Sequence, residues 1–254
     1  MDDRELERYS RQLVLPEWTG EVQERLKAAS AIVVGAGALG SPAATYLACA
    51  GVGRVGVVDS DWVELSNLQR QPLHFTPDIE TQKAESAAQK LGVLNTEISV
   101  EPYPVEVDAD NAAAIIAGAD VVLDCTDSFA TRYLVNDACC AERVALVEAG
   151  ALGFGGMVFA IRPGETACYR CAFPTAPADA PSCAEAGMLG AAAGVVGSLQ
   201  ALEALKLLSG VGTTPGDTIV QFDGLTLQQT LVRTSRRADC PACGGLTASP
   251  ESST

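Results

Sequence analysis

The stretch AIVVGAGALGS at residues 31–41 decides the fold. A run of aliphatic residues ends abruptly in a glycine-rich turn, and SPAATYLACAG (41–51) continues in a composition that favours helix. Gly35, Gly37 and Gly40 stand in the spacing G-x-G-x-x-G, with Ala38 inside the loop. In a strand–turn–helix unit the first glycine permits the turn and the second lets backbone N–H groups approach phosphate. The third lets helix and strand pack closely, while the helix N-terminus supplies partial positive charge. Asp59 ends the next apolar run, VGVVDSD (55–61), about twenty residues on, where a carboxylate accepts hydrogen bonds from ribose hydroxyls. Strand, loop, helix and acid together favour a nucleotide site over a turn kept only for packing.

Outward from this unit, strand-like and helix-like segments alternate. TQKAESAAQKLG (81–92) reads as helix, ISVEPYPVEV (98–107) as strand and ADNAAAIIAGAD (109–120) as helix. VVLDCTD (121–127), ATRYLVNDACCAER (130–143) and VALVEAG (144–150) continue as strand, helix and strand. Strands that are apolar almost throughout, alternating with helices, imply a largely parallel sheet covered on both faces. After Gly150 the pattern changes: GGMVFAIRP (155–163), TIVQFDG (218–224) and TLQQTLVRT (226–234) read as antiparallel strands at one edge. The predicted fold is therefore α/β, a Rossmann-like, mostly parallel sheet with helices on both faces, extended by antiparallel strands. One domain is expected over 1–244, with an N-terminal helical arm over 1–30, a nucleotide-binding half over 31–150 and a second half over 151–244. Leu6, Tyr9 and Leu13 give the arm a helical apolar stripe, and GLTASPESST (245–254) reads as a disordered tail.

With 254 residues, 48% of them hydrophobic, the chain can bury one sizeable core. Seventeen Lys+Arg against 32 Asp+Glu give a net charge of −15, a surface that repels phosphate backbones and anionic lipid. Nucleic-acid and membrane-surface binding are not expected. Only four lysines are present, and this balance suits a salty cytoplasm, where screening relieves self-repulsion. The charged start, MDDRELERYSRQ, carries no signal-peptide core, so a cytoplasmic location is expected. Met188 to Leu208 is long and apolar, but its Ala and Gly content and Gln200, Glu203 and Lys206 mark a buried helix rather than a membrane span.

Several residues beyond the glycine turn carry chemistry. DSDWVELSNLQRQ (59–71) brings Asp61, Asn67, Arg70 and Gln71 close behind Asp59, and Lys83 opens the following helix. A dinucleotide needs little cationic help beyond the helix terminus. A nucleoside triphosphate attacked by a carboxylate gathers several negative charges, which Arg70 and Lys83 would neutralise; a solvated charged loop is the plainer alternative. Asp127, beyond the carboxyl end of a strand, is placed either to hold Mg²⁺ or to cap the next helix. CYRC (Cys168, Cys171) and CPAC (Cys240, Cys243) are two C-x2-C knuckles suited to tetrahedral structural zinc, provided the fold joins them. Cys183, alone before the long helix, is either a nucleophilic thiol or an unreactive loop cysteine. Cys49, Cys125, Cys139 and Cys140 lie in apolar stretches and are expected to pack as small hydrophobes. His74, the single histidine, has no sequence partner, which argues against a histidine-based triad and for a structural role.

In this order, RYSRQ (8–12), GAGALG (35–40), DSDWVELSNLQRQ, QKAES (82–86), DCTD (124–127), CYRC, SCAEAG (182–187), GSLQALEALK (197–206) and CPAC resemble the ThiF/MoeB/HesA family over nearly the whole chain. The resemblance implies ATP-dependent adenylation of the C-terminal glycine carboxylate of a ubiquitin-like sulfur carrier protein ending in Gly-Gly. That activation would serve cofactor biosynthesis or tRNA thiolation. It implies that Gly35, Gly37, Ala38, Gly40, Asp59, Asp61 and Asn67 hold ATP, that Arg70 and Lys83 neutralise its phosphates, and that Asp127 binds Mg²⁺. It further implies Zn²⁺ on Cys168, Cys171, Cys240 and Cys243, a carrier-binding role for residues 151–244, and a sulfur-handling thiol at Cys183. Arg11 would reach into the site of the neighbouring subunit, which implies a homodimer. No rhodanese-like segment follows CPAC, so a separate sulfur donor, a cysteine desulfurase or rhodanese, is expected. The segment DIETQ (78–82) lacks the Gly and Pro often seen there, which would shift the loop before Lys83. A tRNA threonylcarbamoyladenosine dehydratase of the same fold fits the −15 charge poorly. A nicotinamide oxidoreductase is disfavoured by Arg70, Lys83 and the paired knuckles, and a zinc-stabilised binding scaffold by the crowded nucleotide-site residues.

Overall fold

A computed structural model of the chain describes residues 1–176 and 187–247. Eight strands form one sheet in the order β3-β2-β1-β4-β5-β6-β7-β8. They are β1 (Ser30–Val34), β2 (Arg54–Val58), β3 (Ser99–Tyr103), β4 (Val121–Asp124), β5 (Ala145–Leu152), β6 (Gly155–Ile161), β7 (Thr218–Asp223) and β8 (Gln228–Arg233). The first five pair in parallel, and β5 through β8 pair antiparallel. The chain therefore runs outward in one direction from β1 to β3 and then restarts at β4 on the other side of β1. That reversal opens a crevice at the carboxyl ends of β1 and β4, the switch point where such sheets take ligands.

The continuous apolarity of β1 and β4 has a direct cause. Ala31, Val33, Val121 and Leu123 face one core, while Ile32, Val34 and Val122 face another on the opposite side of the sheet. Each fully buried Val, Leu or Ile contributes about 1.5–3 kcal/mol, so both faces must be covered for these strands to exist. One face is covered by α3 (Gly20–Ala28), α4 (Gly40–Ala50), α5 (Lys83–Leu94) and α9 (Gly190–Ser209). The other carries α6 (Ala112–Ile116), α7 (Phe129–Glu142) and α8 (Tyr169–Ala172).

The apolar α9 buries Ala192, Ala193, Val196, Gly197, Gln200, Ala201 and Ala204 against α3, α4 and strands β4 to β6. A Cβ at Gly197 would stand 2.5 Å from the Leu39 carbonyl oxygen, so glycine is needed for the close approach to the α4 entry. Gln200 Nε2 donates to the carbonyl oxygens of Asp124 and Val147, both at 2.8 Å, which ties α9 across β4 and β5.

The N-terminal arm departs from the expected single stripe. It forms α1 (Asp3–Arg8), α2 (Ser10–Leu13) and α3. Of the three stripe residues only Tyr9 is buried, whereas Leu6 is 44% exposed. The buried side chain of α1 is Glu5, which pairs with Lys27 of α3 at 2.7 Å, while Tyr9 accepts from Asn95 Nδ2 and Gln12 donates to the Ala50 carbonyl, so the arm docks through polar contacts around one buried tyrosine.

Candidate active site

The switch-point crevice is an open cavity of about 340 Å³ whose walls include Gly35, Gly37, Ala38, Asp59, Asp61, Asn67, Arg70, Gln71, Lys83, Asp127 and Arg132. Its floor is the glycine turn. Gly35 adopts φ +96°, open to glycine and costly for other residues, and a Cβ there would meet the Cys125 carbonyl oxygen at 2.9 Å. At Gly40 a Cβ would fall 1.8 Å from the Gly35 carbonyl oxygen, so this glycine is fixed by packing. Gly37 is different. Its φ is not positive, and the nearest protein atom to a Cβ would be Gln71 Nε2 at 3.7 Å. Nothing in the fold requires glycine there; the open side is the cavity. The N–H groups of Gly37, Ala38 and Leu39 meet no acceptor among the described residues, and α4 has no side-chain N-cap. Free N–H groups at a helix N-terminus form an anion cradle.

Asp59 sits behind this turn. One carboxylate oxygen accepts from the Ala36 N–H and the other from the Asp61 N–H, both at 2.8 Å. Burial pushes its pKa up, and the nearby Lys83 ammonium pulls it back. Lys83, the first residue of α5, is 7% exposed and forms an ion pair with Asp61 Oδ2 at 2.8 Å. In the segment before it, Glu80 takes φ +69°, the left-handed backbone that glycine adopts easily. With DIETQ in that position, Lys83 lines the cavity. Arg70 is half-buried at the rim, donating to the Ser66 carbonyl at 2.8 Å. Asn67 is buried in the same wall.

Asp127 is exposed on the opposite wall. The capping alternative is not realised: Ser128 caps α7, its Oγ accepting from the Thr131 N–H. No hydrogen bond or ion pair engages the Asp127 carboxylate among the described residues, which leaves an exposed carboxylate in the cavity lining. Arg11 lies exposed on α2 and does not line this chain's own cavity. Cys183 falls outside the described residues. Cys49 is exposed on α4, contrary to expectation, because that face of the helix turns away from the core; Cys125, Cys139 and Cys140 are buried.

Gln71, which the sequence groups with Asn67 and Arg70, is 4% exposed, borders the cavity and leaves its Oε1 without a hydrogen-bond partner among the described residues. One feature escaped sequence reasoning. Beneath Asp127 lies a buried charged cluster: Arg132 pairs with Glu148 at 3.2 Å and donates to the Thr126 carbonyl at 2.8 Å. Glu148 and Asp124 are fully buried. Burial pushes the Glu148 carboxyl well above the usual range, the Asp124 charge adds to that, and Arg132 opposes it. Burial also raises Asp124 against the pull of Arg132. Two adjoining carboxyls beside a single guanidinium are neutralised when they share one proton. A glutamate inside the apolar run VALVEAG was the available signal, since a lone charge in a buried strand requires a partner.

The knuckles meet at the far edge of the site's second half. Cys168, Cys171, Cys240 and Cys243 are all buried, with Sγ atoms within 4.8 Å of one another. Individual separations are 3.8 Å (Cys168–Cys171), 3.6 Å (Cys168–Cys240) and 3.4 Å (Cys171–Cys243). Tetrahedral thiolates about 2.3 Å from zinc stand about 3.8 Å apart, so the four fit that ion. The Arg237 N–H donates to Cys171 Sγ at 3.3 Å, as thiolate ligands commonly require.

A doubly wound sheet with a glycine turn at its switch point, free N–H groups above it and lysine and arginine in its walls defines the class: a nucleotide-binding α/β fold. The chain belongs to the ThiF family, which it matches over residues 9–242. It is 44% identical over 246 residues to the SAMP-activating enzyme E1 of Haloferax volcanii, covering 96% of this chain and 91% of that one. It is 43% identical to the sulfur carrier protein ThiS adenylyltransferase of Escherichia coli, covering 98% of this chain and all of the relative. The crystal structure of E. coli MccB with ATP shares the fold at a TM-score of 0.82 and 23% identity, covering 93% of this chain and 73% of that one.

Proposed function

We propose that this chain is an adenylyltransferase that activates the C-terminal glycine carboxylate of a ubiquitin-like sulfur carrier protein with ATP, releasing pyrophosphate. The observation that carries this reading is Gly37, a glycine that the fold does not need, flanked by free N–H groups and open only to the cavity. Over it the triphosphate would lie, with Asp59 on the ribose and Lys83, Arg70 and Asn67 around the phosphates. A carrier's terminal carboxylate is already ionised at neutral pH, so no general base is needed. Its oxygen attacks the α-phosphorus, the bond to the bridging oxygen breaks, and that oxygen leaves with pyrophosphate. Both reactants are anions, so fixed cations and alignment lower this barrier most.

Asp127 and the incoming phosphates would hold Mg²⁺, which, when bound, offsets charge on the leaving pyrophosphate. Zn²⁺ on the four cysteines would tie the end of the chain to the strand region. The cavity opens past Ala151 and Met188, beside the exposed Leu152, Phe154 and Leu189, a route for an extended peptide tail with an apolar surface for the carrier body. A homodimer would bring Arg11 of each chain to the other's cavity, and a separate donor would supply sulfur in the cytoplasm.

The test is ATP–pyrophosphate exchange with Mg²⁺ and carriers ending in Gly-Gly. Arg70→Ala and Asp127→Ala should each lower exchange by at least about a hundredfold with the folded state intact. Carrier-independent exchange, turnover of NADH, or ATP hydrolysis stimulated only by tRNA would overturn the reading.

A further inference from the structure

His74 is 3% exposed and lies behind the glycine turn rather than in the cavity wall. Its Nε2 stands 2.9 Å from the Ala36 carbonyl oxygen, and its Nδ1 2.9 Å from Ser86 Oγ. A carbonyl can only accept, so the neutral ring carries its proton on Nε2, and Nδ1 accepts from the Ser86 hydroxyl. Ser86 lies on α5, one turn beyond Lys83, and its Oγ also receives Lys90 Nζ at 3.1 Å. Lys90 in turn pairs with Asp78 at 2.6 Å. The imidazole is thus a strut between α5 and the turn.

The strut acts on one particular peptide unit. The Ala36 carbonyl and the Gly37 N–H belong to the same plane, and the chain has no cis peptide bonds among its described residues. In a trans peptide these two groups point in opposite directions. A donor that holds the Ala36 oxygen behind the turn therefore forces the Gly37 N–H toward the cavity. Glycine beyond this bond leaves the plane free to rotate, and a flipped plane would present a carbonyl oxygen to the phosphates.

We propose that His74 is a positioning residue that sets the Ala36–Gly37 peptide so that its N–H faces the nucleotide's phosphates, linking that orientation to the helix that carries Lys83. The inference rests on the reading of the cavity as an ATP site. It predicts a loss confined to phosphate recognition, which a general packing defect would not produce.

The experiment is calorimetric binding of ATP with Mg²⁺, and of adenosine by competition, to the full chain and its variants. His74→Leu, which keeps bulk and removes the shorter of the two bonds to the Ala36 oxygen, leaving only the Ser41 hydroxyl at 3.4 Å, should weaken ATP about tenfold and leave adenosine within about twofold. His74→Gln, whose side-chain amide can donate to the Ala36 oxygen, should recover ATP affinity to within about threefold of the original. Ser86→Ala frees the ring to turn without opening the core, and should weaken ATP a few-fold with adenosine unchanged; it carries the test if His74→Leu does not fold. Equal losses of ATP and adenosine, no loss in His74→Leu and Ser86→Ala, or no recovery in His74→Gln would overturn the inference. An unsubstituted chain that binds adenosine but not ATP would overturn the nucleotide reading itself.

Discussion

Gly37→Ala separates what the fold needs from what the ligand needs. An added Cβ would find its nearest protein neighbour at 3.7 Å, ordinary contact, and the backbone there is open to L-residues. The substitution should therefore leave the free protein intact. By restricting the unfolded chain it should stabilise it by ~0.4–1 kcal/mol, a rise in melting temperature of about 1–3 °C for a chain of this size. The methyl group would instead occupy the space through which the phosphates reach the Gly37 and Ala38 N–H groups. Losing one or two charge-assisted hydrogen bonds costs ~3 kcal/mol, about a hundredfold in ATP affinity. Stability and affinity should thus move in opposite directions. Gly40→Ala is the contrasting control, since its Cβ would lie 1.8 Å from the Gly35 oxygen and should destabilise the fold by ~3 kcal/mol before any ligand is added. Differential scanning calorimetry without nucleotide and titration calorimetry with ATP read the two effects. If Gly37→Ala binds ATP as the original chain does, the phosphates do not lie over the glycine turn and the reasoning fails.

Three further outcomes follow from the geometry. Glu148 carries a raised pKa, so between the ordinary carboxyl range and that raised value the folded chain holds more protons than the unfolded one. Stability should accordingly decline as pH rises through this window, by up to ~1.4 kcal/mol per pH unit and per proton, and Glu148→Gln should flatten the decline in urea titrations between pH 5 and 8; an unchanged slope would refute the shared-proton cluster. Glu80 is exposed at φ +69°, so Glu80→Gly relieves left-handed strain without losing packing and should raise stability by up to ~1 kcal/mol, whereas a measured drop would show that the turn is held otherwise. Metal analysis of the purified chain should find about one zinc, and its removal by a chelator should lower the melting temperature by more than about 10 °C. Four free thiols with no metal and an unaltered melting temperature would count against the knuckle site.

The sheet was legible because its evidence is local. A buried parallel strand must be apolar on both faces, so β1, β2 and β4 announce themselves as short aliphatic runs, and the glycine spacing marks the one connection that must be tight. Lys83 at the head of α5 was readable for the same reason, as was the antiparallel edge after Gly150. The apolar stripe of the N-terminal arm misled, because an amphipathic pattern does not say whether the partner surface is apolar. There, only Tyr9 of the stripe is buried, and the Glu5–Lys27 ion pair and the Tyr9–Asn95 hydrogen bond make the contact.

What the sequence determined by itself was the order of elements, the position of the glycine turn and the set of residue types a nucleotide site needs. Those depend on backbone preferences and periodicities that span a few residues. Only the tertiary structure decided which residues meet across long separations. It joined Cys168 and Cys171 to Cys240 and Cys243, set Glu148 against Asp124 and Arg132, gave the capping role to Ser128 so that Asp127 was left open, and set His74 against Ala36. These contacts are fixed by how strands β1, β4 and β5 stack beside one another and how α5 and α9 lie across them. No run of neighbouring residues carries that information, because the energy that selects it comes from burying whole faces together.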